Sequence, residues 1–314
     1  KAGGVGGQRI ELVSLDDKFE PSLAVDNAKK LIEQGVLALF LTRGTPHTQA
    51  ILPLLGPAKI ALVAPSTGAM ALHKPVHPWV FNVRATYQRE AERVVRHLAG
   101  IGVQRLALVQ VDDTFGDDGA AGAQKGFDAV GRPPVLHLKF DRNKPDFAPL
   151  IPQIIKADAQ AVLFIGSGAM VVDGIKQLRA AGSRAQAVTL SNNASAGFVK
   201  ALGDAARGVV VSQVFPGERA VSNLMVKEAM SSSLASGKGD LTPSMVEGYA
   251  AAKVLVEGLR RAGAKPTRES LQEALNSLNK VDIGGLEVSF SPTDHTGLDY
   301  ADLSIVGDDG RFKR

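Results

Sequence analysis

Two successive stretches end an apolar run in Gly, Ser, Thr and Pro. Leu39-Phe40-Leu41 runs into Thr42-Arg43-Gly44-Thr45-Pro46-His47-Thr48, and Ile60-Ala61-Leu62-Val63 runs into Ala64-Pro65-Ser66-Thr67-Gly68-Ala69. Each is followed by residues that can start a helix. Such a junction leaves backbone N–H groups unpaired at a helix N-terminus, beside small hydroxyls and the positive end of the helix dipole. Taken singly, either one is equally well explained by caps and tight turns. Repeated along one edge of a parallel sheet they would seat a small anion such as a carboxylate, because ligands of open α/β sheets lie beyond the carboxyl ends of the strands.

Other chemistries find less support. The six histidines are His47, His73, His77, His97, His137 and His295, and none forms the His-Glu-x-x-His pattern of a zinc peptidase. His73 and His77 are four apart, but Pro75 and Pro78 argue against a continuous helix, so a surface or turn position is expected for them. Gly166-Ser167-Gly168 follows an apolar run but lacks the Gly-x-Ser-x-Gly elbow, and Val171 stands where a dinucleotide fingerprint needs its third Gly. Gly3-Gly4-Val5-Gly6-Gly7 precedes a strand-like run instead of following one, and no P-loop Lys is present. The acid pairs Asp16-Asp17, Asp112-Asp113, Asp117-Asp118 and Asp308-Asp309 fall at strand ends and turns, where Asp caps helices and closes Asx-turns. No cofactor or metal is expected.

Composition sets the frame. The 314 residues suit two domains, and 45% apolar with 22% charged residues suits globular proteins. The net charge of +4 is scattered and interleaved with acids, aromatics make up only 5%, and nucleic-acid binding is therefore not expected. Cysteine is absent, which excludes disulfides, thiolate nucleophiles and Cys-ligated metals. No apolar stretch reaches the roughly 18 residues of a membrane span.

The elements that position the two junctions alternate strand and helix, which implies βαβ units and parallel sheets. Strands are expected at 9–15, 38–41, 60–63 and 79–83, then at 105–111, 134–140, 161–166, 186–190 and 208–214, and finally at 286–290 and 303–306. Helices are expected from Pro21 to a stop at Gly35, over 86–99, and near 118–130, 146–157, 169–181, 194–202 and 220–234. Thr242-Pro243 and Thr267 read as caps of two further helices. The break near Arg84–Tyr87 carries no flexible linker, which suits a hinge between two lobes.

Read together, these residues resemble the periplasmic substrate-binding proteins of branched-chain amino-acid ABC transporters, the leucine/isoleucine/valine-binding family. The resemblance rests on Gly-Gly-Val-x-Gly-x-x-Ile-x-Leu (3–12), Asp16-Asp17 with Pro21, Gly44-Thr45-Pro46-x-Thr48 and Pro65-x-Thr67-Gly68-Ala69. It continues through Phe81-x-Val-Arg84, Asp113-x-Phe115-Gly116, Leu178-x-x-Ala-Gly182, Gly248-Tyr249-Ala250-Ala251 and Asp309-Gly310-Arg311-Phe312. It implies an α/β fold of the type I periplasmic binding protein: two Rossmann-like lobes with parallel sheets joined by a three-strand hinge. Lobe 1 would hold 1–85 plus 214–300, and lobe 2 would hold 86–213 plus 301–314. Ligand would sit in the cleft between lobes that close by hinge motion, and an ABC permease would recognise the closed form. The family also opens with a strand and helix ahead of the Gly-Gly-Val segment. Lys1-Ala2 reads as the tail of that helix, and the strand–helix unit is expected to be missing here. A monomer, a periplasmic location and a removed signal peptide are implied as well.

Carried over position by position, Thr45 falls where the family places a Ser that holds the ligand carboxylate. Ser66, Thr67 and Gly68 fall where backbone and hydroxyl groups bind carboxylate and ammonium. Phe115 falls where a Tyr contacts the ligand. Ser167 replaces a common aromatic residue, Ser191 replaces a Glu that pairs with the ammonium, and Asn192 beside it accepts a hydrogen bond without carrying charge. The expected function is thus non-enzymatic binding of a small carboxylate, with a hydrophobic amino acid such as leucine first. A buried ammonium needs a charged or well-bonded partner, so an aliphatic or aromatic carboxylate is the alternative within the class. A ligand-sensing regulator on the same fold, with a protein partner in place of the permease, is the rival class. An α/β enzyme is a third, disfavoured by the lack of a His-, Cys- or metal-based constellation.

Overall fold

The structure, a computed structural model, describes residues 4–314. Lys1 and Ala2, read above as a helix tail, lie outside the described residues. The chain divides into two compact units: Lys1–Ala85, Arg219–Leu241 and Met245–Asp299 form one, and Thr86–Glu218, Thr242–Ser244 and Tyr300–Arg314 form the other.

In the first unit, helix α1 (Pro21–Glu33) starts on its Pro and is followed by Gly35 at φ +79°. Then come β1 (Ala38–Phe40), α2 (Thr45–Leu55), β2 (Ala61–Val63) and β3 (Val80–Phe81). The three strands are parallel, in the order β1-β2-β3. Their core is aliphatic, with Leu39, Ile51, Leu55, Ile60, Leu62, Leu72 and Val80 buried. The strand expected at 9–15 does not form. That segment pairs with no strand, and Ile10, Leu12, Val13 and Leu15 are exposed. A strand exists only through a ladder partner, and apolar content alone supplies none.

The second unit begins with α3 (Tyr87–Gly100), then β4 (Leu106–Val111), α4 (Thr114–Val130), β5 (Leu136–Phe140), α5 (Ile151–Lys156) and β6 (Ala161–Ile165). It continues through α6 (Gly168–Ala180), β7 (Gln186–Thr189), α7 (Ala196–Leu202) and β8 (Val210–Gln213). The chain passes back through α8 (Leu224–Ala235), α9 (Pro243–Arg261) and α10 (Arg268–Asn276), with the short antiparallel pair β9 (Val281–Asp282) and β10 (Glu287–Val288). It ends on β11 (Asp302–Val306) and β12 (Phe312–Lys313). The second unit's sheet runs β12-β11-β8-β7-β6-β4-β5, parallel from β8 to β5 and antiparallel at β11 and β12. Every residue of β4 and β6 is buried, as strands covered on both faces require.

Helix α4 starts earlier than its sequence indicated because Asp113 caps it, accepting from the N–H groups of Phe115 and Gly116. Its glycines are contact surface. A Cβ on Gly122 would meet the Gln88 backbone of α3 at 2.3 Å, and one on Gly126 would meet Val95 at 2.7 Å. Helix α5 is shorter than expected, and helix α10 carries the reciprocal capping box between Thr267 and Ser270.

Histidines organise the far side of the first unit's sheet. His73 is 1% exposed, which corrects the surface position expected of it, while His77 is only partly buried. His73 Nδ1 lies 2.8 Å from Thr296 Oγ1. The His295 ring stacks on Phe81 at 4.2 Å, donates from Nδ1 to the Val80 carbonyl at 2.7 Å, and turns Nε2 to the Asn276 carboxamide. Burial lowers the pKa of His73 from 6.5 to about 4, Arg84 adds repulsion, and Asp294 opposes both. Burial also lowers His295 and His77.

Two outcomes follow from this packing. Gly122→Ala should destabilise the second unit by about 2 kcal/mol, read as a lower urea midpoint, because the obstacle is backbone. Between pH 6.5 and 4 the unfolded chain binds protons that folded His73 refuses, so stability is full above pH 6.5 and drains as pH falls toward 4. At about 1.4 kcal/mol per pH unit, His73 accounts for about 3 kcal/mol of that loss. His73→Asn should remove this part of the slope in urea titrations at pH 7.5 and 4.5.

Candidate functional site

In the first unit, parallel pairing sets Ala38 beside Ala61 and Phe40 beside Val63, so β1 and β2 end level. The next residue on each strand, Leu41 and Ala64, turns left-handed at φ 54° and 52°. Neither is Gly, and such backbone is held only where its surroundings dictate it. The two turns then run together: Arg43 bridges Ser66, and the Ser66 N–H donates to the Thr42 carbonyl at 2.7 Å.

Beyond them the hydroxyls converge. Thr45 Oγ1 and Thr67 Oγ1 are 2.8 Å apart, with Thr45 2% and Thr67 0% exposed. Thr42 Oγ1 and Thr48 Oγ1 form a second pair at 3.1 Å. Gly68 is buried and Ser66 partly so. Thr45 opens α2, whose N-cap is Gly44 at φ 89°, and no side chain caps that end. Helices α3, α4, α7, α8 and α10 each have a side-chain cap. The structure thus brings Thr45, Ser66, Thr67 and Gly68 together at the N-terminus of α2, where the N-cap supplies no side-chain hydrogen bond. Such an arrangement suits a small anion.

In the second unit the candidates gather around Gly166. Asn192 Nδ2 and Asn193 Nδ2 donate to the Gly166 carbonyl at 3.0 and 3.1 Å. Ser167 follows directly and occupies the N-cap of α6 without capping it; its hydroxyl donates to Met170 Sδ instead. Ser191 opens the short turn after β7, and its N–H donates to Glu90 Oε2 at 2.9 Å. Phe115 lies at the start of α4, 5% exposed and packed on Tyr87 with ring centroids 4.7 Å apart.

Several polar residues escaped the sequence reading. Glu90 is fully buried on α3 and accepts from both the Ser191 N–H and the Ser212 hydroxyl. Nothing in the sequence joins positions so far apart. Asn193 ties Gly166 to Thr189, which in turn donates to the Phe164 carbonyl. His47 is 2% exposed against Phe19, ring centroids 4.3 Å apart, and neither ring nitrogen has a hydrogen-bond partner among the described residues.

Acid pairs serve local structure. Asp16 and Asp17 close Asx-turns onto Lys18 and Phe19, while Asp117 accepts from Lys139 and Gln110, which lowers its pKa. Lys139 is raised in return by Asp112 and Asp117. Among the described residues no group of three or more His, Asp or Glu is placed to hold a metal ion, and no helix is long and apolar enough to cross a membrane.

The chain is similar to several known proteins. A family profile described as periplasmic binding protein matches residues 1–310. The Leu/Ile/Val-binding protein of Escherichia coli K12 is 21% identical over 261 residues, covering 83% of this chain and 70% of that protein. A substrate-binding periplasmic protein from Ralstonia solanacearum superposes with a TM-score of 0.89 at 31% identity, covering 99% of this chain and 89% of that one. An extracellular ligand-binding receptor from Verminephrobacter eiseniae gives a TM-score of 0.89 at 30% identity, covering 100% and 90%. Two α/β units, parallel strand ends carrying paired hydroxyls, and a profile match along nearly the whole chain make this protein a member of the periplasmic binding protein family.

Proposed function

We propose that the protein is a periplasmic solute-binding protein that takes up a small carboxylate, with a hydrophobic amino acid such as leucine as the leading class, and hands it to an ABC permease in the membrane. The observation that carries this reading is the Thr45–Thr67 hydroxyl pair beside the side-chain-free N-terminus of α2. Hydroxyls and N–H groups converging there suit an oxyanion. Relatives of the family are binding proteins by name, which agrees with a role in binding and not in turnover.

The energetics are adequate. Micromolar binding needs about 8 kcal/mol. Hydrogen bonds to a charged carboxylate contribute about 1.5–3 kcal/mol each, and a buried aliphatic side chain about as much again. In this reading Thr45, Ser66, Thr67 and Gly68 hold the carboxylate, while Phe115, Ser167, Ser191 and Asn192 contact the rest of the ligand. Ser191 carries no charge of its own, and that departure favours a second reading in which the ligand is an aliphatic or aromatic carboxylate without an amino group.

Replacing both partners of a buried hydroxyl pair with isosteric apolar groups is close to neutral for stability. The double variant Thr45→Val, Thr67→Val should therefore melt like the wild type yet bind L-leucine at least about tenfold more weakly by calorimetry. Unchanged affinity in the folded double variant would remove the carboxylate seat from these residues. Native mass spectrometry of protein purified without added ligand separates the two readings: a retained leucine-sized mass supports the amino acid, and a retained aromatic or fatty acid supports the second.

A further inference from the structure

The carboxylate seat does not end freely. From Gly68 and Ala69 the chain enters a 3₁₀ turn, Met70–Leu72, and passes directly into His73. Asn82 Nδ2 donates to the Leu72 carbonyl at 2.8 Å, and His73 Nδ1 meets Thr296 Oγ1 at 2.8 Å. Asn82 and Thr296 are themselves bridged: the Asn82 N–H donates to the His295 carbonyl at 3.0 Å, and the Gly297 N–H donates to the Asn82 carbonyl at 2.8 Å. His295 then clamps this segment to the loop before β3 through the His77 and Val80 carbonyls. The trailing end of the seat is thus tied to the segments around Asn82 and Thr296, with His73 and His295 buried among them.

We propose that His73, His77 and His295 form an acid-operated latch on the carboxylate seat, whose protonation releases the turn after Gly68 and lowers ligand affinity. This rests on the reading of the seat given above. His73 is neutral in the folded chain, and its Nε2 is buried without a hydrogen-bond partner among the described residues. Whichever nitrogen takes the added proton, the charged ring has an Nε2–H donor with no acceptor among the described residues and a charge with no solvent. The charged groups around it oppose or fail to offset that charge. Arg84, itself 2% exposed, repels it, and Glu247 on α9 faces Arg84 at 3.9 Å. Asp294 attracts it, but more weakly than burial and Arg84 repel it. Lys74 is exposed on the same loop, and from α10 the uncharged Asn276 meets His295 Nε2 at 2.7 Å. His77 and His295 repel one another once charged, and His77 Nδ1 now accepts from the Trp79 N–H at 3.2 Å, a bond its protonation would break.

The test follows hydrogen exchange and L-leucine binding in parallel at pH 7.5 and 4, a range over which neither group of leucine titrates. In the wild type, after correction for intrinsic rates, the Asn82 and Gly297 amides should lose protection at pH 4, and leucine affinity should fall severalfold. His73→Asn keeps a polar group near Thr296 without a proton to gain, and should flatten both responses. Equal responses in wild type and variant overturn the latch. So does unchanged protection at Asn82 and Gly297 in the wild type, which decides the matter even if the variant does not fold. Lost protection with unaltered leucine affinity overturns the link to the seat. Wild type that ignores leucine at pH 7.5 overturns the amino-acid reading and with it the link to leucine affinity, while the exchange data still judge whether the latch opens.

Discussion

The parallel register between β1 and β2 is the constraint on which the rest depends. Leu39 against Leu62 and Phe40 against Val63 bring two strand ends to the same level. Left-handed Leu41 and Ala64 then turn both chains out of the sheet at that level. A slip of one residue would send each side chain to the opposite face and separate Thr45 from Thr67. The aliphatic residues on these strands are buried, so burial holds the register that the hydroxyls need.

The two units present their polar groups differently. The first offers donors: two hydroxyl pairs and the start of a helix without a side-chain cap. The second orders its candidate turn from behind, with Glu90 bonded to Ser191 and the carboxamides of Asn192 and Asn193 bonded to Gly166. Buried polar groups satisfied in this way fix a backbone conformation, because each lost bond leaves a desolvated partner. A carboxylate therefore does sit against Ser191, but it arrives from α3, where Glu90 accepts from the Ser191 N–H.

Legibility followed the range of the interaction. Pro21, Gly35, Thr267 and the Thr242-Pro243 pair marked helix ends correctly because capping is settled within a few residues. The start of α4 is hidden in the sequence, since its glycines lower helix propensity and only their packing on α3 explains them. The segment 9–15 has strand composition and no ladder partner. His73 looked like a turn histidine beside two prolines, and its burial depends on Thr296, which the sequence places far away.

By itself the sequence determined the alternation of strands and helices, the two hydroxyl-rich junctions and the kinship with binding proteins. Those are properties of local pattern and of order along the chain. Tertiary structure alone decided that the Thr45 and Thr67 hydroxyls touch, that Glu90 backs Ser191, and that His73 and His295 are buried beside the bridge between Asn82 and Thr296. Each of these joins residues from different elements, and what brings them together is strand register and core burial, which are set by the whole fold and not by any short stretch of chain.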